Sequence, residues 1–262
     1  MELTVDGRSV FAATGGRATR PEQPSVVFVH GAGLDHTVWT LQARWFAHHG
    51  RNVFALDLPG HGRSGGAALG AIEAQADWLL RFLDAAGLAQ AALVGHSMGA
   101  LVSLEAAARG PARVWALALV GAAPAMKVHP DLLAAARAGD HAAIDLVASW
   151  GFGRRAHLGG AQAPGLWMLA GATRLLERDA AASLAADLAA CDAYAGARAA
   201  AKTLRCPTLL LAGALDRMTP AKGAHELAAL IDDARVVELA GSGHMMMVEA
   251  PDATLDALAE IA

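Results

Sequence analysis

The chain has 262 residues, a formal charge of −4, 28 glycines, two cysteines and a hydrophobic share of 55%. That length allows one large domain, or a core carrying an elaboration. The longest uncharged apolar run, Val114 to Met126, is too short for a bilayer, and a negative total without basic clusters argues against nucleic acid or an anionic membrane as partner.

In chain order, Leu3–Val5 and Ser9–Thr14 flank Asp6-Gly7, a pair that favours a tight hairpin turn. Val26–Val29 is a β-branched run and predicts a buried strand, followed by His30-Gly31-Ala32-Gly33 and a helix over about Thr37–His48. Val53–Leu56 predicts the next strand, Ala71–Ala86 a helix, Ala91–Val94 a strand running straight into an alanine-rich helix, and Trp115–Val120 another strand. Strands alternating with helices at this spacing imply a parallel sheet with helices on both faces.

The alternation stops at about Ala125. From there to Thr203 only helical patterns occur, near Asp131–Ala138, His141–Trp150, Leu166–Arg178 and Ala180–Tyr194, punctuated by Pro130, Gly139, Gly151, Gly159-Gly160 and Pro164. Strands resume at Thr208–Ala212 and Arg235–Leu239, each followed by a helix. The expected architecture is α/β: a mostly parallel eight-stranded sheet flanked by helices. Its core comprises 1–124 and 204–262, with 125–203 inserted as a helical cap.

Functional groups gather at the carboxyl ends of strands in such a sheet. Gly95-His96-Ser97-Met98-Gly99 stands there, and puts a serine on a sharp strand-to-helix turn. In a chain of this composition the bare pattern arises by chance about 0.1 times, so it needs partners. Asp216 lies four residues past a later strand, and His244 sits in a glycine-rich loop after the last one. Ser97, Asp216, His244 is the order in which a nucleophile-elbow site supplies its triad. A serine hydroxyl needs an imidazole to take its proton, and the imidazole needs a carboxylate to hold its tautomer. Asp216 also admits a plainer role as a helix N-cap near Pro220.

Together with His30-Gly31 and Asp57-Leu58-Pro59-Gly60-His61-Gly62-Arg63-Ser64, these stretches make the chain resemble the α/β-hydrolase fold family over nearly its whole length. The resemblance implies that Ser97 is the nucleophile, His244 the general base and then acid, and Asp216 the orienting acid. It implies an oxyanion hole from the backbone N–H groups of Met98 and Ala32, with Gly33 the weaker candidate for the second donor. Adjacent residues on a turn point apart, so His96 reads as a residue packed against the sheet, and His30 and His61 read as structural turn residues. Serine at the elbow points to acyl transfer, and the Gly-His-Ser-Met-Gly form resembles the esterase, enol-lactonase and perhydrolase branch. The expected activity is hydrolysis of small carboxylic esters or lactones. Carbon–carbon bond hydrolysis, perhydrolysis and a non-catalytic receptor are the alternatives.

Trp39, Trp150, Trp167, Tyr194 and Met245 are the candidate walls of a substrate pocket. Gly60-His61-Gly62-Arg63-Ser64-Gly65 matches a dinucleotide fingerprint, but Asp57-Leu58-Pro59 separates it from its strand and puts a rigid proline where the phosphate turn would begin. His225-Glu226-Leu227-Ala228-Ala229 lacks the second histidine of a zinc motif. No cofactor or metal is expected. The expected partner is a small-molecule substrate, in a chain that is a monomer or homodimer. Cys191 and Cys206 fit no redox motif, and no basic-then-apolar leader opens the sequence, so a cytoplasmic setting is expected.

Overall fold

Eight strands form one sheet in the order β1-β2-β4-β3-β5-β6-β7-β8. The computed structural model describes residues 1–161 and 166–262. In chain order the strands are β1 (Glu2–Val5), β2 (Arg8–Ala13), β3 (Ser25–Val29), β4 (Asn52–Leu56), β5 (Ala91–His96), β6 (Val114–Val120), β7 (Thr208–Gly213) and β8 (Ala234–Leu239). Asp6 and Gly7 both take positive φ, 50° and 72°, as the primed turn between β1 and β2 requires. β1 and β2 pair antiparallel, β2 joins β4 antiparallel, and every later pairing is parallel. The eight-stranded, mostly parallel sheet is borne out.

The helices are α1 (Thr40–His48), α2 (Ile72–Ala85), α3 (Met98–Arg109), α4 (Pro130–Ala138), α5 (Ala142–Gly151), α6 (Arg154–His157), α7 (Met168–Ala193), α8 (Ala197–Thr203), α9 (Ala221–Ala228), α10 (Met246–Glu249) and α11 (Pro251–Ala259). Every residue of β3, β4, β5 and β7 is buried, which is why these strands read as unbroken apolar runs. α2 buries Ile72, Ala76, Leu79 and Leu83 at helical spacing. Ile72, Leu79 and Leu83 contribute about 1.5–3 kcal/mol each. α2, α3, α8 and α9 pack one face of the sheet, and α1 and α11 the other.

Between β6 and β7 the described residues form the helices α4 to α8 with their connecting turns, and no strand. α4 starts with Pro130 at its first turn and ends on Gly139 at φ 66°. Two features differ from the sequence reading. The helices expected at Leu166–Arg178 and Ala180–Tyr194 are one, α7, running 26 residues. No Gly or Pro occurs from Ala172 to Ala193, so nothing ends the first segment. The short α6 and α8 were not anticipated, and Pro164 lies outside the described residues. Among the described residues, no helix is long and apolar enough to cross a membrane.

Candidate active site

Ser97 joins β5 to α3 without a loop, at φ 53° and ψ −118°. Only one other non-glycine among the described residues, the turn residue Asp6, has positive φ. Such a conformation costs about 1–3 kcal/mol and persists only where the surroundings enforce it. Here the Ser97 N–H donates to the Val120 carbonyl at 2.8 Å, and the Ser97 carbonyl accepts from Ala100 and Leu101. Neighbouring backbone crosses close by. A Cβ on Gly95 would lie 2.2 Å from the Gly99 oxygen, and one on Gly99 would lie 2.4 Å from the His30 oxygen. Gly99→Ala should therefore cost about 3 kcal/mol in urea unfolding, the upper range for overpacking, because backbone rather than a flexible side chain must give way.

His244 is held by the loop after β8. Its N–H and that of Met245 both donate to the Gly151 carbonyl, at 2.9 and 3.0 Å. In the ring, Nδ1–H donates to Asp216 Oδ2 at 2.7 Å. Asp216 also accepts from the Met218 and Thr219 N–H groups at 2.8 Å and from the Thr219 hydroxyl at 2.7 Å. Burial pushes the Asp216 carboxyl up. The His244 charge and these hydrogen bonds outweigh burial and hold it below the usual carboxylate range. A proton fixed on Nδ1 leaves Nε2 with the lone pair. Asp216 does not cap α9, whose N-cap is Pro220. It closes the turn before that helix.

His96 packs beside this loop. Its Nε2–H donates to the His244 carbonyl at 3.0 Å, and the two rings lie 4.7 Å apart. Complete burial and the neighbouring His244 push its pKa well below the ordinary histidine value, so it stays neutral. Among the described residues, the N–H groups of Ala32 and Met98 have no protein acceptor. The Gly33 N–H, by contrast, is taken by Asp187 Oδ2 at 2.9 Å.

Ser97, His244, Ala32, His96 and Thr219 line one cavity of about 530 Å³. The remaining lining is mostly apolar, with Leu132, Val147, Phe152, Leu176, Leu184 and Leu188 prominent, while Lys127, His129 and Arg217 supply exposed basic groups. Of the expected wall residues, Trp150 and Met245 line this cavity. The other three stand elsewhere. Trp39 is fully buried against Phe28 at 5.3 Å, Trp167 is 60% exposed, and Tyr194 is buried with its hydroxyl donating to Glu105 at 2.5 Å. An aromatic residue in a helical pattern does not declare which face it takes.

Sequence reasoning missed Thr219, Glu249 and Asp187. Thr219 three residues after an aspartate is a signal for a closed turn. Glu249 accepts from the Gly153 and Gly243 N–H groups at 2.8 and 2.9 Å, which ties the His244 loop to the segment after α5. Asp35, His36 and Asp57 bring ligand atoms within 4.8 Å of one another. Their oxygens are already occupied: Asp57 accepts from the N–H and Nδ1 of His36 and from the Arg63 N–H, and Asp35 from Thr37 and Arg178. The cluster clamps a turn.

A family model described as the alpha/beta hydrolase family matches residues 26–257. A putative carbamate hydrolase of Klebsiella pneumoniae is 31% identical over 252 residues, covering 88% of each chain. The dihydrolipoyllysine-residue acetyltransferase component of the acetoin-cleaving system of Cupriavidus necator is 42% identical over 118 residues, 44% of this chain and 30% of that protein. The chain thus spans less than a third of that relative's length. Among solved structures, the enol-lactonase of Burkholderia xenovorans superposes with a TM-score of 0.89 at 25% identity, covering 99% of this chain and 98% of the other. A thermophilic esterase gives a TM-score of 0.81 at 26% identity, covering 99% and 95%.

Proposed function

The chain belongs to the alpha/beta hydrolase family, and on that premise we propose that it is a serine hydrolase of small carboxylic esters or lactones. One observation carries the reading. A serine held at positive φ lines the same cavity as a histidine whose Nδ1–H is bound by a buried aspartate. Similarity to an enol-lactonase and an esterase supports an acyl substrate.

In this reading His244 Nε2 takes the Ser97 Oγ proton as Oγ attacks the substrate carbonyl carbon. The developing oxyanion accepts from the Ala32 and Met98 N–H groups, each worth roughly 3–4 kcal/mol of barrier. Collapse breaks the bond to the leaving oxygen, which receives the proton from His244. Water then attacks the Ser97 ester, gives its proton to His244, and the free acid leaves as Ser97 is reprotonated. Asp216 holds the imidazole in its tautomer and offsets its transient charge.

The helical segment 125–203 acts as a cap that sets substrate size. A cavity of about 530 Å³ with mostly aliphatic walls suits an acyl chain of several carbons. In a series of p-nitrophenyl esters, kcat/KM should rise from acetate to butyrate by roughly tenfold or a little more, since two buried methylenes at roughly 0.8 kcal/mol each add about 1.6 kcal/mol. The same enzyme should react with a fluorophosphonate probe, with the label on Ser97 by mass spectrometry. A chain that stays unlabelled has no activated serine, and the reading fails.

A further inference from the structure

Helix α7 reaches across the fold to the turn after β3. Its Asp187 is fully buried, and Oδ2 accepts from the Gly33 N–H at 2.9 Å and from His61 Nε2 at 2.8 Å. The other ring nitrogen of His61, Nδ1, lies 3.0 Å from the Pro59 carbonyl, which can only accept. With an acceptor facing each nitrogen, the ring satisfies both when it carries two protons. His30, 4.8 Å away ring to ring, differs. Its Nδ1 faces the Gly31 carbonyl at 2.8 Å, while its Nε2 accepts from the Leu58 N–H at 3.1 Å, so it carries one proton and stays neutral.

We propose that Asp187 is a positioning residue for the oxyanion donors, acting through a buried ion pair with protonated His61. The inference rests on the serine hydrolase reading. Ala32 stands between two peptide planes. The plane containing its own N–H is fixed through the Gly31 carbonyl, which accepts from His30 Nδ1 and the Leu34 N–H. The plane after it ends in the Gly33 N–H, and Asp187 pins that one. Gly33 has φ 66° and no side chain, so the pin replaces the stiffness its backbone lacks. A doubly protonated His61 gives the buried carboxylate a charged partner and holds it in place, since an isolated buried charge is strongly disfavoured.

His61 faces His30 from the turn after β3, Asp57 from the end of β4, and Asp187 from α7. Burial lowers its pKa, but the hydrogen bond and charge of Asp187, with Pro59 and Asp57, outweigh burial and leave it raised. A raised value fixes the sign. The pair is intact below the ordinary histidine pKa and is lost as pH rises through the higher folded value.

The first measurement uses the wild-type chain labelled with ¹⁵N-histidine. At pH 7 the His61 ring should show two N–H protons and an imidazolium nitrogen pattern. A single ring proton there overturns the proposal. The second compares Asp187→Asn with wild type on p-nitrophenyl butyrate and on butylboronic acid, whose serine adduct mimics the tetrahedral intermediate. We expect kcat to fall about 30–100-fold, KM to stay within threefold, and boronate affinity to fall by the same factor as kcat. Retention of kcat and boronate affinity within threefold overturns it. If the variant does not fold, wild-type kcat supplies the test: an alkaline fall coinciding with His61 deprotonation by NMR supports the proposal, and its absence overturns it. Wild-type protein inert to fluorophosphonate marks failure of the serine hydrolase reading instead, and leaves the His61 proton count to be judged alone.

Discussion

Ser97→Ala should lower turnover of p-nitrophenyl butyrate by about 10⁴-fold or more, with the melting temperature unchanged within about 2 °C. In the proposed mechanism Ser97 is the nucleophile of a triad that acts as a unit, and its removal eliminates nearly all of the triad's contribution, leaving only binding and oxyanion stabilisation. The small thermal effect follows from the backbone. Alanine inherits the same positive φ and the same hydrogen bonds to Val120, Ala100 and Leu101. A side chain only 9% exposed is shortened by one oxygen. Variant protein that keeps more than a hundredth of wild-type kcat would contradict the role assigned to Ser97. Circular dichroism and calorimetry establish whether any loss is chemical.

Asp216→Asn is the second large effect, with an expected fall of about 10⁴-fold in kcat. An amide can present its N–H to His244 Nδ1, which places the ring proton on Nε2, the wrong nitrogen for a base. The same residue sets an acid-side stability limit. Its folded pKa lies below the ordinary carboxylate value of about 3.9. Its contribution is therefore fully present above that value and is lost as pH falls through the folded one. Melting temperature measured from pH 7 down to pH 3 should drop more steeply for wild type than for the Asn variant. Parallel curves would mean that the folded protein does not hold the Asp216 carboxyl below its ordinary range.

What could be read in advance depended on how local the cause was. β3, β5 and β7 are buried on both faces, so composition alone disclosed them. The β1–β2 hairpin followed from one dipeptide. The Ser97 turn was readable because Gly95 and Gly99 are required by backbone crossing at 2.2 and 2.4 Å, a constraint that leaves a mark in the sequence itself. Asp187 left no such mark. Its partners, Gly33 and His61, are 154 and 126 residues away, and it sits in a helix whose neighbours look like ordinary alanine-rich pattern. The wall aromatics failed for a related reason. Trp150, in the last turn of α5, lines the cavity and Trp167, just before α7, is exposed, yet both fall in stretches of the sequence that read as helical.

The continuity of α7 has a mechanical side. Twenty-six residues at about 1.5 Å each make a rod of roughly 39 Å. Leu176, Leu184 and Leu188 on this rod touch the cavity, and Asp187 beside them is seated in the core. No glycine or proline from Ala172 to Ala193 offers a hinge. On the proposed acyl chemistry, with Asp187 positioning the oxyanion donors, an oversized acyl chain that pushes on Leu184 loads the seat of Asp187 directly. On that reading bulk in the substrate is felt as slower chemistry as well as weaker binding, and a gauge for size becomes a throttle on rate.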